Sequence, residues 1–379
     1  MEPGALRDLR VLDFGQYIAG PLLGMLLADQ GADVIKVERP DGDPMRGHPA
    51  FAVWNRGKRS VVLDLHTPQG RQTALSLAEQ ADVLIENFRP GVADRLGIGA
   101  ADLTAHNSRL LYVSLPGFGE ESPYRDLPAW EPLVGAVTAT YVHRRSPNSD
   151  GPAFVSLPIS SVYAAMVSAA AVGAALFHRE RTGEGQRIEV PLHSATFVAI
   201  GYRLVRTSAN VDVQARADRL GGIVAGAHLC ADGRYLYIHG ASARERFLPH
   251  VLDALGHPEW LQDLLNQQLA TQNPDRYQEL AGLFRRLMTT KTAREWEDLL
   301  GPVAPVNFAR TIDEWLEEPH ALASEIVVQV DDPQYGPMKQ VGLPLRLSKT
   351  PGHIRGPAPR LGEHSQEALS LWGDRVASR

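Results

Sequence analysis

Several side chains of this sequence have the right type for ligand chemistry. Arg39 and Arg95 are forked, permanently charged donors of the kind that pair with phosphate oxygens. Asn87 offers an amide donor and acceptor, and Phe88 beside it offers an apolar face. Glu131 and Asp150 are carboxylates in loop-like stretches, and they are the acids to test first for covalent or proton-transfer work. Each type also has an ordinary use. An arginine at a strand end is commonly solvated, a phenylalanine there packs into the core, and a loop carboxylate faces water. The single cysteine, Cys230, excludes a disulfide framework within the chain and a multi-cysteine metal site, and no metal is expected.

The elements that must position these residues begin with Leu9 to Pro40. Two short runs rich in Val, Leu and Ile flank a segment in which Leu22, Leu23, Met25, Leu26 and Leu27 crowd one helical face. Gly31 closes the helix and Pro40 the second run, which predicts a strand–helix–strand unit. Gly15, Gly20 and Gly24 do not form the G-x-G-x-x-G dinucleotide fingerprint, although Glu38 stands where a ribose-binding acid would. A nicotinamide-dependent enzyme is therefore the distant rival. The alternation continues with strands at Ser60 to Leu65, Asp82 to Glu86 and Arg109 to Ser114, and a helix opened by Thr67-Pro68. This rhythm predicts a mostly parallel sheet with helices on its faces, and ligands beyond the carboxyl ends of the strands, where Gln16, Arg39 and Asn87-Phe88 fall.

Ser146 to Pro152 reads as a loop. A helix is expected from Ser160 or Ser161 through His178, with a stripe of mostly small residues (Ala164, Ala165, Ser168, Ala169, Val172, Gly173) that lets another backbone approach closely. Its Ala-rich run Val162 to Phe177 is shorter than the roughly 20 residues a membrane span needs and carries Ser168, so a core helix is expected. After a flexible stretch at Gly221-Gly222 come a strand–turn–strand at His228 to Ile238 and helices at Phe247 to Leu255, Trp260 to Leu269, Tyr277 to Met288 and Thr292 to Leu300. The domain reading is a large α/β domain over 1–223, a small α+β domain over 224–318, and a return to the large one over 319–379. At 379 residues, 44% hydrophobic and 22% charged with a net charge of −6, the chain has the balance of a soluble globular protein. No basic excess suggests nucleic acid, no membrane association is expected, and a cytoplasmic location fits.

The wording of the motifs is more specific than their pattern. Asp13-Phe14-Gly15-Gln16-Tyr17-Ile18-Ala19-Gly20-Pro21 and Gly31 to Pro40 resemble the opening of the family III coenzyme A transferases, the CaiB/BaiF family of carnitine and formyl-coenzyme A transferases. The resemblance runs on through Asn55 to Ser60, Asp82 to Gly91, Arg179 to Gln186, Asp232-Gly233-Arg234 and Leu361-Gly362-Glu363-His364. It implies a Rossmann-like sheet in a large domain built from N- and C-terminal parts, a smaller domain, and an interlocked dimer. It also implies coenzyme A or an acyl-coenzyme A as substrate with no permanent cofactor, a carboxylic acid as co-substrate, and coenzyme A contacts at Gln16, Ala19, Arg39, Asn87, Phe88 and Arg95. The glutamine that lies one place before Ala19 in some members is Ile18 here.

In the resembled family a nucleophilic aspartate stands near the start of the helix that ends Ala-Ala-Leu. Counting back from Ala174-Ala175-Leu176 puts Ser161 there; the related racemases carry their aspartate at the position of Ser160 and a histidine near Trp130. Moving coenzyme A between carboxylic acids needs an enzyme carboxylate that becomes a mixed anhydride, reopened by the thiolate. A serine would form an ordinary ester, too stable for a carboxylate to displace, and would support hydrolysis only with a base in hydrogen-bond reach. The expectation is that one of the two serines caps the helix and that Ser161 is no nucleophile. Three functions stay open: a transferase that recruits another acid such as Glu131 or Asp150; a subunit whose aspartate-bearing relative supplies the nucleophile, as a heterodimer in place of a homodimer; and a lyase, isomerase or hydratase of coenzyme A thioesters.

Overall fold

The computed structural model describes residues 4–141, 145–146, 149–152, 154–201, 222–239, 244–367, 370 and 372. The chain divides into two compact units, Met1–Leu204 with Pro319–Arg379, and Val205–Glu318.

The first unit is built on six strands: β1 (Arg10–Asp13), β2 (Asp33–Glu38), β3 (Arg59–Val62), β4 (Val83–Glu86), β5 (Leu111–Ser114) and, beyond a short ribbon, β8 (Gln186–Glu189). Their order is β3-β2-β1-β4-β5-β8, and every neighbouring pair is parallel. Parallel strands need crossovers, supplied by α1 (Ala19–Asp29), α2 (Pro49–Trp54), α3 (Pro68–Gln80), α4 (Val92–Arg95) and α5 (Ala100–His106). The period-two alternation then sorts the core. Val11, Val34, Val83, Ile85, Leu111 and Val113 share one face with Leu22 and Leu23 of α1, while Leu12, Ile35, Leu84 and Tyr112 share the other with Ala74 and Leu77 of α3. Both faces are covered, which is why β4 and β5 are buried throughout. Strand order reverses between β1 and β4, which is the switch point beyond whose carboxyl ends ligands of open parallel sheets bind.

α6 (Glu131–Val137), α7 (Ile159–Thr182) and α8 (Leu192–Ile200) complete the layer on the α1 side. The small stripe on α7 packs inward: Ala164, Ala165 and Val172 join the core with α1, whereas Tyr163, Met166 and Phe177 on the other side are exposed. A stripe read as a site for another backbone is thus used by this chain's own α1. α7 is long and apolar enough to cross a membrane by length and composition, and 39% of its most apolar window is buried. Ser146 to Pro152 is not simply a loop. β6 (Arg145–Ser146) and β7 (Ser149–Pro152) form an antiparallel ribbon. Asp150 lies on it, with its side chain outside the described residues.

All six strands of the sheet come from the first 190 residues. The C-terminal part supplies a separate hairpin, Val327–Asp332 with Gly336–Val341, and a turn that covers the sheet's edge. There His364 Nδ1 accepts the Ser60 N–H (3.2 Å), Ser365 Oγ accepts the Val62 N–H (3.1 Å), and Gly362 N–H donates to Ser60 Oγ (2.9 Å). Backbone donors of the edge strand β3 are thereby satisfied. The second unit packs α9 (Arg244–Leu255), α12 (Pro274–Met288) and α13 (Ala293–Leu300) on an antiparallel sheet of β9 (Gly226–Leu229), β10 (Tyr235–Ile238) and β11 (Val306–Phe308). Thr292 caps α13 in a full capping box with Glu295. The expected helix from Trp260 to Leu269 is broken into α10 (Leu261–Leu265) and α11 (Leu269–Gln272), because Asn266 Oδ1 takes the Gln268 N–H (2.9 Å) and turns the chain. Gly221 lies outside the described residues.

Candidate active site

The loop from β1 into α1 is held from beneath by buried charges. Asp13, the last residue of β1, accepts the Gly15 N–H on Oδ1 (2.8 Å) and pairs through Oδ2 with Lys58 Nζ (2.7 Å). Lys58 also donates to the Pro21 carbonyl (2.8 Å) and to Asn55 Oδ1 (3.0 Å). At the other end of the loop Lys36 donates to the Gly15 carbonyl and pairs with Asp43 (2.9 Å). All four charges are within 1% of full burial at the side chain, and burial lowers the Lys58 ammonium to about 8 against the pull of Asp13. Gly15 and Gly20 must be glycine, since a Cβ on either would lie 2.6 Å from the other's Cα.

Asn87 clasps this loop from β4, across the switch point. Its Oδ1 accepts the Gln16 N–H and its Nδ2 donates to the Gln16 carbonyl, both at 2.8 Å. The structure thus brings Gln16 and Asn87 together, with the Asn87 amide used to hold loop backbone. Tyr17 takes the left-handed conformation at φ 62°, and its ring meets that of Trp130 edge-on at 5.0 Å.

Trp130 leads into Glu131, and Glu131 reaches the start of α7. Its Oε1 accepts the Ser160 N–H at 2.6 Å, and its Oε2 accepts the Ser161 N–H at 3.0 Å and the Ser161 hydroxyl at 2.7 Å. This corrects the expectation that a serine caps the helix. The cap position is Pro158, which has no side-chain donor or acceptor, and both serines lie inside the first turn. Glu131 does the capping from 30 residues away, where its charge also suits the positive end of the helix dipole. Ser160 Oγ is buried with no partner.

The remaining candidates divide. Arg39 is exposed and, among the described residues, pairs with its neighbours, Asp41 at 2.8 Å and the Gly42 carbonyl at 3.0 Å. Arg95 is exposed at the end of α4. Phe88 is half-buried against the α3-side core, and Ala19 is buried at the start of α1. Glu38 is not available to a ribose: Arg46 holds it bidentately (2.6 and 2.5 Å), with Ser60 Oγ at 2.7 Å and the Asp43 N–H at 3.2 Å. Glu86, which the sequence reading passed over as strand, is buried, and burial raises its carboxyl to about 7 despite the Ser114 hydroxyl and the Phe88 N–H. Lys58 also escaped it, since nothing in its spacing marks a buried ammonium, and Trp130 entered only as the place of a histidine in the related racemases.

A Rossmann-like switch-point crevice is shared by many chemistries, so geometry alone does not name the family. The sequence model described as CoA-transferase family III matches residues 6–365. The chain belongs to CoA-transferase family III. It is 31% identical to the succinyl-CoA–D-citramalate CoA-transferase of Chloroflexus aurantiacus, over 97% of this chain and 94% of that protein. It is 34% identical to the CoA-transferase/lyase DddD of Marinomonas sp., over 96% of this chain but 49% of DddD, so the chain spans about half that relative's length. Among solved structures, Rv3272 of Mycobacterium tuberculosis superposes with a TM-score of 0.83 at 30% identity, covering 97% of this chain and 99% of that one.

Family membership and geometry together give the motifs different roles. Several are scaffolding: Arg56 is fully buried against Asp29 (2.7 Å), Lys58 holds the loop, and Arg179 is buried against Asp82 (3.2 Å). Gly183 ends α7 in the left-handed conformation. A smaller set is linked by contacts near the carboxyl ends of β1 and β4: the Gln16–Tyr17 loop held by Asn87, Trp130 against Tyr17, and Glu131 bonded to Ser161.

Proposed function

We propose that the chain takes a coenzyme A thioester in the crevice over β1 and β4 and takes part in moving coenzyme A from one carboxylic acid to another. The carrying observation is the Asn87–Gln16 clasp, which holds the first loop, with Tyr17 against Trp130 and so close to Glu131 and Ser161. Arg39 and Arg95 are the phosphate donors of this reading. Arg39 gives up little by turning to a ligand, because an exposed pair such as Arg39–Asp41 is worth only about 0–1 kcal/mol.

The transfer itself requires an enzyme carboxylate free to become an anhydride. Position 161 carries a hydroxyl, and Glu131 is committed to three hydrogen bonds at the start of α7. We infer that the nucleophile comes from an aspartate-bearing related chain in a heterodimer. The exposed apolar side of α6 and α7, with Leu133, Val137, Tyr163 and Met166, supports association. Purification of the chain from its source, with identification of whatever subunit accompanies it, tests this. The reading expects a related chain with aspartate at the position of Ser161 and transfer activity only in the pair; full transfer by this chain alone contradicts it. The similarity to DddD, a CoA-transferase/lyase, favours lyase work on a thioester as the second reading.

A further inference from the structure

We propose that this chain, by itself, hydrolyses coenzyme A thioesters with Ser161 as nucleophile and Glu131 as its base. The inference rests on the reading above only in taking a coenzyme A thioester as the ligand. Serine chemistry at this position needs one thing that the sequence does not display, a base within hydrogen-bond reach. The fold supplies it: Glu131 Oε2 accepts the Ser161 hydroxyl at 2.7 Å, across 30 residues of chain. The two helix N–H bonds to Glu131 (2.6 and 3.0 Å) hold the carboxylate beside that hydroxyl.

The steps balance without a further reagent. Ser161 Oγ adds to the acyl carbon while its proton passes to Glu131. The carbon–sulfur bond breaks, and the departing thiolate takes that proton to leave as coenzyme A thiol. Water then gives a proton to Glu131 and adds to the ester carbon. Ser161 leaves with that proton and the free carboxylic acid is released. A carboxylate is a weak base for serine, but a thiol leaving group with a pKa of about 8.5 makes the acylation undemanding. The ester formed on Ser161 is beyond the reach of an acceptor carboxylate but open to water, so hydrolysis and absence of transfer follow from the same bond.

The test uses the full chain with acetyl-, propionyl- and succinyl-coenzyme A and no acceptor acid. Thiol release is followed with a chromogenic thiol reagent, the acyl adduct is sought by mass spectrometry of quenched peptides, and thioester binding is measured separately by calorimetry. Thiol release with an acyl group on Ser161 is expected, falling at least about 100-fold in Ser161→Ala, and in Glu131→Gln where circular dichroism shows that variant folded. Ser161→Ala leaves both backbone bonds to Glu131 in place, so it keeps the test open if Glu131→Gln does not fold. Binding without thiol release, release that survives Ser161→Ala, or an adduct on Glu131 overturns the hydrolysis while the ligand reading stands. Absence of any thioester binding overturns both.

Discussion

Glu86 ties the fold of the crevice to pH. Its carboxyl is buried at the end of β4, accepts the Phe88 N–H at 2.8 Å, and so shapes the turn that carries Asn87. Burial raises it from 4.5 to about 7. A carboxyl whose folded pKa lies above its unfolded value binds its proton more tightly in the native state. Its contribution is therefore fully present below pH 4.5 and is lost as pH rises through 7. The shift corresponds to about 3 kcal/mol across that window. Glu86→Gln resembles the protonated acid, with an oxygen for the Phe88 N–H and an amide for Ser114, and it does not ionise. Urea unfolding of both proteins at fixed concentration between pH 4.5 and 7.5 should show nearly equal stability at the acid end. Toward pH 7.5 the variant should gain about 3 kcal/mol over the parent. A constant difference across the range, or a parent that gains on the variant as pH rises, would refute the reasoning.

Three further outcomes follow from the same geometry. Lys58→Met strands the buried Asp13 and frees the Pro21 carbonyl; it should cost about 3–5 kcal/mol in unfolding experiments and speed hydrogen exchange in residues 15–21, whereas a cost under 1 kcal/mol would mean the pair is unimportant. Asn87→Ala removes both bonds to Gln16 and should cost about 1–3 kcal/mol in stability while weakening thioester binding, with unaltered binding contradicting the clasp. Light scattering of the purified chain at micromolar concentration should give at least twice 41.4 kDa, and a stable monomer would contradict the oligomer.

How far the sequence carries depends on the range of each interaction. The first crossover was legible because its signals are local: alternating Val, Leu and Ile, a helical leucine face, and Gly31 after it. The helix opening at Thr292 was legible for the same reason. One of the two serines was expected as the cap because Ser is a good cap in isolation. The partner that decides the matter, Glu131, is distant in sequence and close only after α6 docks on α7. The Lys58–Asp13 pair spans 45 residues, and a lysine in an Asn-Arg-Gly-Lys-Arg stretch reads as solvated until the sheet closes over it. Small residues on α7 announced close packing correctly, but no local pattern says whether the approaching backbone belongs to the same chain.

The central claim, a coenzyme A thioester gripped over β1 and β4 by Arg39 and Arg95, is tested most directly by calorimetric titration of succinyl-coenzyme A. The unmodified chain is compared with Arg39→Ala and with the double variant that also carries Arg95→Ala. Each lost charge-assisted contact costs roughly 1.5–3 kcal/mol, so Arg39→Ala should weaken binding about ten- to a hundredfold and the double variant further still. Affinity unchanged by the loss of both arginines would contradict the account.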